Sequence, residues 1–342
     1  MINTSFKPKQ VTKRLMSDLH ERAADVISNR FGLNEDAEQK TLEAIGDKYK
    51  ITRERVRQIE NAALASIRKA DTFKAEQAAF DELKEIIHSL GAIVSEEELL
   101  NSISKDKCVQ NHIYLHLVLS DIFTKHKEDD NFKTRWSVDD ETAEKVHGAL
   151  KNLYADLKDE DIISEGELVS TFLGDLKDLS EKYKNEEIAR RWLSMSKNLS
   201  RNPLGEWGKS TSPNIKTRGV KDYSFLVMRK HGSPMHFREV AKAIFETFGR
   251  KTHVATCHNE LIKDSRFVLV GRGMYALKEW GYTPGVVKDV IREIIKKEGP
   301  MSKEDIVDKV MKERYLKKNT ILVNLQNTKH FKKNKAGLYT LA

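Results

Sequence analysis

Residues 41–69, TLEAIGDKYKITRERVRQIENAALASIRK, restrict the fold more than any other stretch, because they place two helix starts eleven residues apart. Thr41 is positioned to cap a short helix whose Leu42 and Ile45 turn inward, Gly46 to Lys50 supply a turn, and Thr52 caps a second helix. Together these make a helix-turn-helix. On the second helix Val56, Ile59, Ala63 and Ile67 recur at three- and four-residue spacing and form its buried face. Arg53, Glu54, Arg57, Gln58 and Asn61 then fall on the opposite face. These side-chain types match base edges in the major groove: Arg suits guanine, Gln or Asn suits adenine, and Glu accepts from cytosine. An ordinary solvated helix face carries a similar pattern, so the spacing alone leaves both readings open.

The charge distribution narrows the choice of partner. The 342 residues are 39% apolar and 33% charged, which suits a helix-rich protein with several small cores. The net charge of +8 is uneven: residues 1–75 carry +4, residues 76–220 carry −8 and residues 221–342 carry +12. Basic ends suit phosphate contacts, whereas an acidic middle is repelled by DNA and suits a spacer or a protein-binding surface. No apolar run approaches a membrane span, and Lys7 and Lys9 are followed by no apolar block. The expectation is a cytoplasmic protein without a membrane partner. Cys108 and Cys257 lie in separate segments and offer neither a disulfide framework nor zinc spacing.

The run RFGL at Arg30 to Leu33, then TLEAIG, then TRERVRQIE at Thr52 to Glu60 resembles region four of bacterial primary sigma factors. The resemblance spans about the first 70 residues, and its motifs are specific. It implies a second helix that reads the promoter −35 element and a module that packs on the flap of the polymerase beta subunit. Carried over by position, Arg53, Glu54 and Gln58 are the implied base readers. Thr52, Arg55, Arg57 and Asn61 are the implied contacts to DNA backbone or polymerase. Ala44 stands where the family usually has an acidic residue, which removes the capping-box partner of Thr41 and leaves the reading face untouched. Ahead of the module, residues 1–10 read as frayed, and one helix from Val11 to Arg30 turns Leu15, Leu19, Ala23 and Val26 or Ile27 inward. No aromatic-rich segment of the kind sigma factors use to melt the −10 element precedes it, so a complete sigma factor is not expected.

From about residue 80 a repeat sets the architecture. Val94-Ser95, Ile163-Ser164, Met235-His236 and Met301-Ser302 each place an apolar residue before a helix cap, with Glu98, Glu167, Glu239 and Asp305 three residues on and Leu99, Leu168, Val240 and Ile306 four residues on. These read as capping boxes with a hydrophobic staple, those at His236 and Asp305 imperfect. The caps stand 69, 72 and 66 residues apart. The last two units are the clearest. Helices near Tyr223 to Lys230 and Val286 to Lys297, the capped helices, and helices near Ala255 to Lys263 and Thr320 to Asn327 lead into two short strands each. Three helices closed by a β-hairpin describe a winged helix. The first two units are less regular, and the polar stretch 200–219 reads as an extended wing or a linker.

In the third unit, SPMHFREVAKAI at Ser233 to Ile244 and GRGMYALKEWGY at Gly271 to Tyr282 resemble the HARE-type winged helix of the polymerase delta subunit and of nucleic-acid enzymes. That resemblance implies a polymerase- or DNA-associated role without naming contact residues. By position, Arg250, Lys251, Arg266 and Arg272 here, and Lys317, Lys318, Lys329, Lys332 and Lys333 in the last unit, are candidate phosphate contacts.

Catalysis finds no constellation. His112 and His116 sit four apart on a helix near Asp121 and His126, but no HExxH accompanies them and their neighbours are apolar. Gly271-Arg272-Gly273 lacks both P-loop and dinucleotide spacing and reads as a wing turn. The sequence therefore predicts a mainly α, non-enzymatic protein without metal, cofactor or small-molecule substrate. A helix-turn-helix over 1–74 precedes winged-helix units over 75–138, 139–220, 221–282 and 283–342. The expected role is a transcription regulator or sigma-like accessory factor acting on double-stranded DNA and RNA polymerase. The alternatives are a polymerase-docking protein that does not read DNA and the recognition subunit of a restriction or modification system.

Overall fold

The computed structural model describes residues 2–176 and 179–342, and the chain is mainly α. The helix-turn-helix lies within α1 (Pro8–Leu15), α2 (Glu21–Phe31), α3 (Leu42–Tyr49), α4 (Arg53–Lys69) and α5 (Asp71–Ala75). Both threonine caps form: Thr41 accepts from the amide of Ala44 at 3.1 Å and Thr52 from that of Arg55 at 3.2 Å. The turn differs from the expectation. Gly46 stays inside α3, and the chain reverses at Lys50, the left-handed residue, and Ile51. Ile51 donates its amide back to the Gly46 carbonyl at 3.0 Å, and a Cβ on Gly46 would lie 2.7 Å from the Ile51 carbonyl oxygen. The glycine serves close approach of the turn, not the turn itself.

Two further expectations for this end of the chain are corrected. The long helix from Val11 to Arg30 is broken at Met16–His20, where Ser17 donates to the Arg14 carbonyl and His20 occupies the N-cap of α2. Residues 2–10 are not frayed. Ile2 donates its amide to the Ser102 carbonyl at 2.7 Å, and Pro8 opens α1, where its missing amide costs no helix bond.

Four winged-helix units follow. The first comprises α6 (Gln77–Ser89), β1 (Ile93–Ser95), α7 (Glu96–Ile103), α8 (Lys107–Leu119), β2 (Thr124–His126) and β3 (Arg135–Ser137), and the second α9 (Asp140–Asp156), α10 (Glu165–Asp175), α11 (Glu186–Met195), β4 (Leu199–Arg201) and β5 (Trp207–Lys209). The third has α12 (Val220–His231), β6 (Met235–His236), α13 (Phe237–Phe248), α14 (Val254–Lys263), β7 (Phe267–Gly271) and β8 (Met274–Leu277). The fourth has α15 (Val287–Glu298), α16 (Lys303–Glu313), α17 (Lys318–Leu325), β9 (Phe331–Lys333) and β10 (Tyr339–Leu341).

The repeated apolar residue before each cap also pairs across to the wing, Val94 and Met235 within β1 and β6, Ile163 and Met301 as isolated bridges. Val94 pairs across the sheet with Trp136, Ile163 with Trp207, Met235 with Tyr275 and Met301 with Tyr339, always antiparallel. Each second helix is thereby tied to its own wing through an apolar–aromatic cross-strand pair, a favourable pairing on a sheet face. Leu99, Leu168, Val240 and Ile306, one turn into those helices, are wholly buried. Ser95, Ser164 and Ser302 cap by their hydroxyls, but of the four expected boxes the reciprocal bond closes at His236, where Glu239 accepts the His236 amide at 3.0 Å. Glu98 instead meets Arg191 at 3.1 Å.

The chain divides into two compact units, residues up to 200 with 207–210, and residues 201–206 with 211–342. In the first, one apolar core runs from Leu15, Phe31, Ala63 and Ile67 of the helix-turn-helix into Phe80, Leu83, Ile113 and Trp136 of the first winged unit. A smaller core of Val26, Ile45 and Val56 holds the helix-turn-helix itself. None of the described helices is long and apolar enough to cross a membrane.

Candidate nucleic-acid interface

The sequence places Arg53, Glu54, Arg57, Gln58 and Asn61 on one face of α4, and the structure leaves all five exposed while Val56, Ala63 and Ile67 are buried behind them. Thr52 and Arg55 are exposed at the same end. The face is organised before any ligand arrives. Arg57 donates to both oxygens of Glu54, at 2.9 and 2.7 Å, which holds the Glu54 carboxyl below its ordinary range. Arg55 donates to the Gln58 side-chain oxygen at 3.0 Å.

Several buried or half-buried groups fix α4 in place. Asp25 of α2 accepts from Lys48 at 2.6 Å, from Asn29 at 2.9 Å and from the Tyr49 hydroxyl, tying α2 to α3. Burial raises its pKa, but these donors outweigh it and hold the carboxyl below its usual range. Arg30 pairs with Glu60 of α4 at 3.5 Å and donates to the Lys40 carbonyl at 3.3 Å. Asn111 of the first winged unit is buried and donates to the carbonyls of Gly32 at 2.8 Å and Ala37 at 3.0 Å. Arg68, near the end of α4, closes the last carbonyls of α8, Val118 and Leu119, at 2.8 and 2.9 Å. Sequence reasoning missed Asp25, Asn111 and Arg68. Only the four-residue Asp25–Asn29 spacing was visible as a local signal.

His112 and His116 face inward. His116 is wholly buried, its Nε2 lies 2.9 Å from the Thr12 hydroxyl, and burial pushes its pKa down to about 3. The pair joins α1 to α8.

Among the proposed phosphate contacts, Arg250, Lys251, Arg272, Lys317, Lys318, Lys329, Lys332 and Lys333 are exposed. Arg250 lies over the Tyr223 ring and Lys333 over that of Tyr339. Arg272 occupies the wing turn between β7 and β8, and Lys317 and Lys318 stand at the start of α17. Arg266 is a correction. Its guanidinium points inward, bonding Asp222 at 2.8 Å, Asp264 at 2.7 Å and Asn214 at 3.1 Å. The buried carboxylate of Asp222 and the half-buried one of Asp264 hold it away from solvent, so it ties the third unit together.

Two segments have named relatives. Residues 15–69 match sigma-70 region 4, and residues 218–280 match the HARE-HTH family, the helix-turn-helix domain whose description names ASXL and restriction endonuclease proteins. The N-terminal region is 45% identical over 60 residues to RNA polymerase sigma factor RpoD of Helicobacter pylori, covering 18% of this chain and 9% of that protein. It is 42% identical over 59 residues to RpoD of Neisseria gonorrhoeae, covering 17% and 9%. Sigma factor SigA1 of Synechococcus elongatus is 48% identical over 54 residues, covering 16% and 13%. The chain thus spans about a tenth of the length of these relatives, and the region-four match includes the whole of α4.

Proposed function

We propose that this protein is a DNA-binding, polymerase-associated transcription regulator whose α4 reads a −35-like duplex sequence. The observation that carries the proposal is the division of α4 into a buried apolar face and an exposed face of Arg53, Glu54, Arg57, Gln58 and Asn61 on a preset frame. Arg53, Glu54 and Gln58 supply specificity at base edges, and the basic residues of 221–342 supply affinity through phosphate. The region-four match and the sigma factor relatives support the choice of a −35-like sequence.

The rival, docking on the polymerase flap without reading DNA, is less well supported. The fully buried core of a protein–protein interface is more apolar than its rim. The apolar residues Leu15, Phe31, Ala63 and Ile67 of this module are already covered by the first winged unit. The test is a binding titration of the full chain with its preferred duplex and with a scrambled one. Arg53→Ala or Gln58→Ala is expected to relax discrimination by about 1–3 kcal/mol while leaving scrambled-duplex binding nearly intact. Equal affinity of wild type and variants for every sequence would remove the specificity claim.

A further inference from the structure

The junction between the third and fourth winged units carries a feature that the reading helix does not use. After α16 the chain passes through Arg314 and Tyr315 to Lys317 and Lys318 at the start of α17. Arg314 is 3% exposed and donates to the carbonyls of Gly285, at 3.1 Å, and Thr283. Tyr315 donates its amide to the Val270 carbonyl at 2.8 Å and forms a parallel bridge with Gly271 at the end of β7. A Cβ on Gly271 would lie 2.7 Å from the Tyr315 carbonyl oxygen, so a glycine is required for the two segments to meet. The wing tip of one unit and the third helix of the next are therefore fixed side by side.

What this fixed junction exposes is an aromatic ring among cations. Tyr315 is 55% exposed, its hydroxyl meets that of Tyr282, and Arg272, Lys317 and Lys318 are exposed within two or three residues of the bridge. Leu269, 52% exposed, lies on the same edge strand. An exposed aromatic on a rigid backbone with basic flanks is the arrangement that stacks an unpaired base and tracks its phosphates. A duplex hides its base faces and makes no use of such a ring. A protein partner suits it less, because lysine is depleted in protein interfaces and residues 221–342 carry +12.

We propose that this junction binds single-stranded nucleic acid, with a base stacked on Tyr315 and the flanking phosphates held by Arg272, Lys317 and Lys318. The site is separate from α4, and the two can fail independently. The test is fluorescence anisotropy of the full chain with a labelled thymidine oligonucleotide and with a duplex of the same length. Tyr315→Ala is expected to weaken single-strand binding about tenfold, equivalent to about 1.4 kcal/mol, the effect of losing one stacked base. Tyr315→Phe keeps the ring and retains affinity. Arg272→Gln and Lys317→Gln each lower the salt dependence by about 0.7, the slope for one phosphate on a single strand. Duplex binding by Tyr315→Ala stays at the wild-type level, its thermal midpoint is unchanged, and Arg53→Ala binds the thymidine strand as wild type does. If Tyr315→Ala leaves single-strand affinity unaltered, or weakens single strand and duplex equally, the proposal is overturned.

Discussion

The same substitution, glycine to alanine in a helix, is expected to act with opposite sign at Gly46 and Gly148. Alanine is intrinsically better than glycine in a helix by about 1 kcal/mol. Gly148 lies within α9, and a Cβ there meets no atom within 4 Å, so Gly148→Ala keeps the gain. At Gly46 the new Cβ lies 2.7 Å from the Ile51 carbonyl oxygen and 3.6 Å from the Arg53 amide. A comfortable carbon–oxygen contact is about 3.3 Å or more, so the turn retreats by about 0.6 Å against the Ile51-to-Gly46 hydrogen bond. Overpacking of this kind costs about 1–3 kcal/mol. The net effect is a loss of about 1 kcal/mol, and the two variants are separated by about 2 kcal/mol. Urea denaturation followed by tryptophan fluorescence reports on the right part, since Trp136, Trp192 and Trp207 belong to the same compact unit as both glycines. The Gly46 variant is also expected to shift the start of α4 and to weaken the sequence discrimination proposed for it. Equal stabilisation by both substitutions would refute the close-approach account of the helix-turn-helix.

Asn111→Ala removes the donors to the Gly32 and Ala37 carbonyls. It is expected to destabilise by about 1–3 kcal/mol in the same denaturation assay. Arg266→Gln leaves the carboxylate of Asp222 buried without its charge partner. It is expected to cost about 3 kcal/mol of stability with unchanged salt dependence of DNA binding; the reverse pattern would restore Arg266 as a phosphate contact. His116 carries a pH signature. Its folded pKa of about 3 lies below the unfolded value of about 6.5. As pH falls below about 6.5 the unfolded chain takes up a proton that the folded chain refuses, so stability is lost at about 1.4 kcal/mol per pH unit. Between pH 7 and pH 5 the wild type is expected to lose about 2 kcal/mol more than His116→Gln, and parallel pH profiles would contradict that.

What the sequence made legible follows from the range of the interactions involved. The caps at Thr41 and Thr52 and the two faces of α4 depend on residues within one or two turns, and both were readable. The repeat of apolar residue, cap and buried residue was readable as well, but its meaning was not. Val94 and Trp136, or Met301 and Tyr339, are about 40 residues apart, and only the closed sheet reveals them as partners. Gly46 was misplaced because a glycine between two helical patterns reads as a turn, whereas here it admits the carbonyl of a residue five positions on. Arg266 was misassigned because its acids, Asp222 and Asp264, include one from another helix. The cover that the first winged unit lays over the helix-turn-helix left no trace in the local pattern, since it is assembled from α1, α2, α4 and α8.

The central claim is that the exposed face of α4 reads duplex sequence. The measurement that bears on it most directly is selection of bound sequences from a random duplex library at two salt concentrations, with the full chain and with its Arg53→Ala, Gln58→Ala double variant. The full chain is the right reagent because the helix-turn-helix shares its core with the first winged unit. The account predicts a −35-like motif enriched by the wild type at both salts and lost by the variant, which keeps salt-sensitive, unselective binding. Absence of any enriched motif with the wild type, or the same motif with the variant, would contradict it.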